Sequence, residues 1–219
     1  MGLTRLQAEV RKYHVFSAVC KAAFWLVTAI TVLYTWKGRF RSGRSVHLRP
    51  KVHRGKLNAE GFRFAIVASR WNDFLTSKLV DGAVDGLENL GASEDSVEVI
   101  MVPGSFELPA AARKIADSGR FDAIIALGVV IRGETAHFDY VAGEAAKVGQ
   151  VSLETGVPVM FGVVTANTLE QAINRCGVKA GNKGFEAALS AVEMVNLYRE
   201  IGSGQKEQGQ DKKAFPHVV

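Results

Sequence analysis

A chain of 219 residues with 47% hydrophobic content and a formal charge of +5 is long enough to bury a full core, and its length fits one domain with attachments. The positive charge is concentrated at the amino end, where acidic residues are nearly absent between Met1 and Asn58, so the remainder presents no basic surface and a nucleic-acid partner is excluded. Cys20 and Cys176 share no disulfide or metal-ligand spacing and the five histidines form no HExxH pattern, so a metal-free protein in a reducing cytosol is expected.

Residues 1–56 read as a separate extension with a basic start at Arg5, Arg11 and Lys12, an apolar stretch from Ala22 to Trp36 and a basic run from Lys37 through Arg54. The apolar part holds about 15 residues, short of the ~20 that span a bilayer comfortably, or slightly more if Lys21 snorkels. A membrane anchor, an organellar targeting segment and an upstream start-site artefact all stay open. Tyr34-Thr35-Trp36-Lys37 supplies no small-residue cleavage site, which makes a cleaved secretory signal the weakest option. Membrane contact is expected only if this segment is retained.

From Phe62 onward, apolar runs of strand length alternate with helix-period stretches, the signature of a parallel sheet covered by helices on both faces. A strand over Phe62–Ala68 leads to a helix over about Asp73–Leu90, in which Leu75, Leu79, Val80, Ala83, Leu87 and Leu90 recur at helical spacing and which Gly91 stops. A second strand, Ser96–Val102, passes through Pro103-Gly104 into a helix over about Phe106–Ser118. The third strand, Ala123–Ile131, is the most apolar and is placed centrally. A helix over about Tyr140–Thr155, a fourth strand over Val157–Val163, and helices over Leu169–Arg175 and Lys183–Ile201 complete the domain, assigned to residues 57–201. Four βα units in series predict a flavodoxin-like, three-layer α/β/α sandwich on a four-stranded parallel sheet. Residues 202–219, rich in Gly, Gln and Lys, are expected to be disordered.

Ligands of open parallel sheets bind beyond the carboxyl ends of the strands. Trp71 and Asn72 follow the first strand, Ser105 to Glu107 the second and Gly133 to His137 the third, while Phe161 is taken to close the fourth. The apolar run Ala126–Ile131 breaking at Gly133 into a helix leaves free N–H groups beside the imidazole of His137, a setting suited to phosphate chemistry. Read from the residues alone, each position keeps a plainer alternative. Trp71 could anchor a core or interface, Glu107 could complement a helix dipole, Arg175 could be a helix-terminal charge and His137 a solvated helix-start residue. Asp139 either orients His137 or caps the helix. A flavin- or nucleotide-carrying module without catalysis would want a Ser/Thr-rich loop after the first strand, which Ser69-Arg70-Trp71-Asn72 does not provide.

Four segments in this order, Ser69-Arg70-Trp71-Asn72-Asp73-Phe74, Val102-Pro103-Gly104-Ser105-Phe106-Glu107-Leu108-Pro109, the run Ala126 to Asp139, and Lys179-Ala180-Gly181-Asn182-Lys183-Gly184, resemble the 6,7-dimethyl-8-ribityllumazine synthase family from about Gly55 to Ile201. The resemblance implies condensation of 5-amino-6-(D-ribitylamino)uracil with L-3,4-dihydroxy-2-butanone 4-phosphate, without a cofactor. It implies that Trp71, Asn72, Ser105, Phe106, Glu107, Val129, Val130, Ile131, Phe161 and Lys183 hold the aminouracil. Trp71 stands where many members carry Phe. Glu134, through its backbone, Thr135 and Arg175 would hold the phosphate substrate, and His137 would move protons. Phe161, Arg175 and Lys183 would reach the site from a neighbouring subunit, and of the lysines flanking the Ala180-Gly181-Asn182 turn, Lys183 is favoured over Lys179. The family forms pentamers or shells of 60 subunits. The uninterrupted turn Gly177-Val178-Lys179-Ala180-Gly181 favours the shell, with riboflavin synthase as a possible partner.

Overall fold

The computed structural model describes residues 50–211, with side chains through residue 203. The extension preceding residue 50 and the last eight positions, with the anchor, targeting and tail expectations that fall on them, lie outside the described residues. Four strands, β1 (Phe64–Ser69), β2 (Val97–Val102), β3 (Ala123–Ile131) and β4 (Val159–Ala166), form one parallel sheet in the order β2-β1-β3-β4. The strand read as most apolar, β3, is internal, and its first eight residues are buried.

Helices α1 (Asp73–Asn89), α2 (Leu108–Asp117), α3 (His137–Ala145), α4 (Val148–Thr155), α5 (Leu169–Ile173) and α6 (Lys183–Asp211) divide between the two faces. On one face Leu75, Leu79, Ala83 and Leu87 of α1 and Ala188, Ala191 and Val192 of α6 pack on Phe64, Ile66, Ile125 and Leu127. On the other, Leu108 and Ala112 of α2, Ala145 of α3 and Val148 of α4 cover Ala65, Val67, Ile124 and Ala126. Alternate residues of β1 and β3 enter opposite clusters, which is why both strands read as continuous apolar runs. The expected three-layer sandwich is therefore the fold.

Several boundaries differ for physical reasons. The helix expected from Phe106 starts as a 3₁₀ turn over Ser105–Glu107 and becomes α2 at Leu108, with Pro109 in the first turn, where its missing N–H costs nothing. The single helix expected over Tyr140–Thr155 begins earlier, at His137, and is two. Lys147 N–H bonds to Glu144 O at 2.9 Å and Gln150 N–H to Lys147 O at 2.9 Å, i→i−3 bonds that tighten the chain between α3 and α4.

The fourth strand runs to Ala166 rather than Val163. The last helix runs to Asp211, past the Ile201 expected as its end. The compact unit starts at Val52. His53 Nδ1 lies 2.7 Å from Glu200 Oε1, and Asn196 Nδ2 donates to Asn58 O at 2.9 Å, tying this entry segment to α6. Among the described residues, no helix is long and apolar enough to cross a membrane.

Candidate active site at the carboxyl rim of the sheet

The loop after β1 is held at both ends. Arg70 N–H bonds to Val102 O at 2.9 Å, extending the strand pairing, and Thr76 Oγ1 donates to Trp71 O at 3.1 Å. Asn72 takes the left-handed conformation (φ 59°), the only non-glycine among the described residues to do so. Asn tolerates that region better than most side chains, and its Nδ2 donates to Val129 O at 2.8 Å, locking the loop to β3. The turn thrusts Trp71 outward with 72% of its surface exposed. An indole left this open has no role in the core, which removes the core-anchor alternative.

The loop after β2 is closed by Glu107, whose Oε2 accepts the Gly104 N–H at 2.9 Å. This carboxylate therefore reaches back across its own turn. Ser105 is buried beneath, its Oγ 3.4 Å from Ser69 Oγ, and a Cβ on Gly128 would stand 2.4 Å from that same Ser105 Oγ. Only glycine at 128 lets this loop settle onto β3. Phe106, half exposed, faces out from the turn.

Beyond β3, His137 is the first residue of α3, and its N–H points to Thr135 Oγ1 at 3.4 Å, a long bond. The three loops enclose an open cleft of about 610 Å³ lined by Trp71, Asn72, Ser105, Phe106, Glu107, Val129, Val130, Ile131, Thr135 and His137. That size accepts one bicyclic or similarly small ligand. Gly104, Gly133, Phe138 and Val141 complete the lining. Phe138 and Val141 were legible in principle, because with Ala145 they form an i, i+3, i+7 stripe on α3 facing the sheet.

Asp139 does not cap the helix. The helix starts two residues before it, with Ala136 at the cap, and its carboxylate pairs with Arg132 at 2.7 and 3.2 Å. The bond from Arg132 holds the Asp139 carboxyl below its ordinary range, and Asp139 in turn raises the guanidinium of Arg132. Arg132 Nε also donates to Asn167 Oδ1 at 3.1 Å, and its guanidinium lies 4.1 Å from the Phe138 ring centroid. The arginine next to the glycine turn is thus paired with three residues of its own chain.

Four candidate residues stand outside the cleft of a single chain. Glu134 is exposed in the turn. Phe161 does not close β4 but sits within it, opposite Ala126, and is half exposed on the edge strand. Arg175 and Lys183 come together elsewhere, Lys183 N–H bonding to Arg175 O at 2.9 Å, while the Lys183 ammonium pairs with Glu186. Asn182 fixes them on the α1 side, donating through Nδ2 to Lys78 O at 2.8 Å and accepting the Gly184 N–H on Oδ1 at 2.8 Å.

A parallel sheet between helical layers, with a small-molecule cleft at its carboxyl rim that brings an exposed indole, a carboxylate and an imidazole together, defines an α/β protein built to act on a compact polar ligand. The family model described as 6,7-dimethyl-8-ribityllumazine synthase matches residues 61–199. A protein of that name from Chlorobaculum parvum (strain DSM 263 / NCIMB 8327) is 58% identical over 149 residues, which cover 68% of this chain and 96% of the relative. The chain belongs to the 6,7-dimethyl-8-ribityllumazine synthase family.

Proposed function

We propose that this chain is a transferase of riboflavin biosynthesis that condenses 5-amino-6-(D-ribitylamino)uracil with L-3,4-dihydroxy-2-butanone 4-phosphate to give 6,7-dimethyl-8-ribityllumazine. The observation that carries the reading is the cleft in which Trp71, Glu107 and His137 arrive from three successive strand ends. The indole offers a π-face to the pyrimidine ring, and Phe106 walls it. Glu107 accepts hydrogen bonds from the ribityl side, with Asn72, Ser105 and the Val129–Ile131 backbone as neighbours.

The 5-amino nitrogen attacks the ketone carbon, and water leaves to give an imine. Loss of a proton next to the imine expels phosphate, and the enol that remains tautomerises to a ketone. The ribitylamino nitrogen closes the ring on that carbon, with loss of a second water. His137, at the start of α3, carries protons between these steps. The reactants are already an amine and a ketone, so holding them in register supplies much of the rate. No cofactor is required.

The departing phosphate needs a cation, and Arg132 is taken up by Asp139. We assign that task to Arg175 of an adjacent copy, with Lys183 and Phe161 of the same copy completing the aminouracil side. The Thr135 side chain and the backbone at Glu134 supply the near wall. The functional unit is accordingly at least a pentamer, and a 60-subunit shell able to associate with riboflavin synthase is the assembly we favour, working in the cytoplasm. Mixing the purified full-length chain with the two substrates and following lumazine fluorescence tests the reading. Absence of product would sink it.

A further inference from the structure

Arg132, Asp139 and Asn167 form a hydrogen-bonded cluster beside the His137 turn, and none of them lines the cleft. Arg132 leaves the end of β3 with its N–H on Ala166 O at 2.9 Å, so its backbone is anchored to the end of β4. From there its guanidinium makes three kinds of contact at once. It grips both oxygens of Asp139, at 2.7 and 3.2 Å, donates through Nε to Asn167 at 3.1 Å and covers the ring of Phe138 at 4.1 Å. Phe138 and Asp139 are the two residues that follow His137 in the first turn of α3.

An isolated surface ion pair contributes little, but a bidentate fork with a third hydrogen bond and a stacked ring restricts geometry far more than a single contact. The other polar contacts of the turn are internal to it, Asp139 N–H on Ala136 O at 3.0 Å and a long Thr135–His137 contact at 3.4 Å. We infer that Arg132 is a positioning residue for the reaction, clamping the first turn of α3 so that the His137 imidazole and the Phe138 wall stand at a fixed place over the cleft. The inference rests on the proposed lumazine-forming activity for its kinetic readout, and on geometry alone for its spectroscopic one.

The loops carrying Trp71 and Phe106 are fixed by other bonds, to Val129, Val102 and Gly104. Loosening the clamp therefore disturbs turnover without disturbing the stacking side. The test compares full-length wild type, Arg132→Lys, Asp139→Asn and the double variant, each carrying ¹³C-labelled histidine, with His137→Gln to assign the His137 resonance. Arg132→Lys keeps the charge and loses the fork and the stack.

A shift of a few tenths of an ångström up to 1 Å at a reacting group costs roughly 10- to 100-fold in rate. The expected result is a fall in kcat of about that size in each single variant and no further fall in the double, because the two act as one unit. KM for the aminouracil stays within about twofold, since its stacking loops are untouched. The His137 resonance moves in both singles. Wild-type kcat with an unmoved His137 resonance in Asp139→Asn would overturn the inference. So would equal losses in kcat and aminouracil affinity that track a fall in Tm, which would make the clamp merely structural. If wild type forms no lumazine, the functional reading fails by itself, and the His137 resonance still decides whether Arg132 positions the turn.

Discussion

A methyl group on Gly128 tests how the floor of the cleft is built. Its Cβ would lie 2.4 Å from Ser105 Oγ, 3.0 Å from Ser69 Oγ and 3.4 Å from Leu108 Cδ1. Ser69 and Ser105 are both buried, so relieving the contact means shifting a packed hydroxyl or the loop that carries it. Overpacking of this kind costs about 1–3 kcal/mol. For a folded unit of this size each kcal/mol lowers Tm by roughly 2–4 °C, so Gly128→Ala is expected to melt ~2–12 °C lower. Ser105 leads the turn that carries Phe106 and Glu107, and pushing it outward also raises KM for the aminouracil while sparing the phosphate substrate. Thermal melting at one fixed protein concentration, with steady-state kinetics varying each substrate in turn, reads both effects. Adding Ser105→Ala removes the atom at 2.4 Å and restores most of the lost Tm. A Gly128→Ala protein with wild-type Tm and wild-type KM would refute the close-approach argument, and so would a double variant no more stable than the single.

His137→Ala is expected to slow turnover by roughly 100-fold without abolishing it, at the low end of what proton-transfer groups contribute, because orientation remains intact. In the same assay Arg175→Ala should raise KM for the butanone phosphate, and an unaffected KM would remove its phosphate assignment. The Arg132–Asp139 pair also predicts a pH dependence. Asp139 titrates below its ordinary value of 3.8 in the folded chain, so its contribution is present above that value and is lost as pH falls through the lowered one. The Tm difference between wild type and Asp139→Asn should then hold constant from neutrality to about pH 4 and disappear below it, and a difference that faded between pH 8 and 5 would contradict the assignment. Burial pushes the Cys176 thiol up to about 11, leaving it protonated at neutral pH. In a Cys20→Ser background, iodoacetamide should label the chain at pH 7.5 only after denaturation, and rapid native labelling would show that the loop beneath Arg175 opens.

Much of the fold was legible because two-sided burial leaves a plain mark. Ala123–Ile131 is β3 to the residue, since a strand covered on both faces must be apolar throughout. The cleft loops were legible for a topological reason, as strand ends in a parallel sheet share one rim, and Trp71, Glu107 and His137 meet there. Periodicity could not show the break between α3 and α4, because two i→i−3 bonds shift the helical phase without glycine or proline at the break itself. The Arg132–Asp139 pair is not legible, because Asp near a predicted helix start suggests a cap, whereas the helix begins at His137 and leaves Asp139 free to pair with Arg132. No spacing rule links residues seven apart across a turn, so that pair follows only from the way β3 hands the chain to α3. Phe161 lies inside β4 opposite Ala126, and the ladder with β3 continues to Ala166 opposite Ile131.

The bond from Gly104 N–H to Glu107 Oε2 constrains how this cleft could be adapted to other ligands. A carboxylate that both lines the cleft and closes its own loop cannot be exchanged for selectivity alone, since any replacement also has to rebuild the turn. Trp71 and Phe106 carry no such double duty, as both rings stand exposed. Redesign toward a different heterocycle therefore has its freedom on the stacking side, while the Glu107 side is bound to the preferences that folding imposes on it.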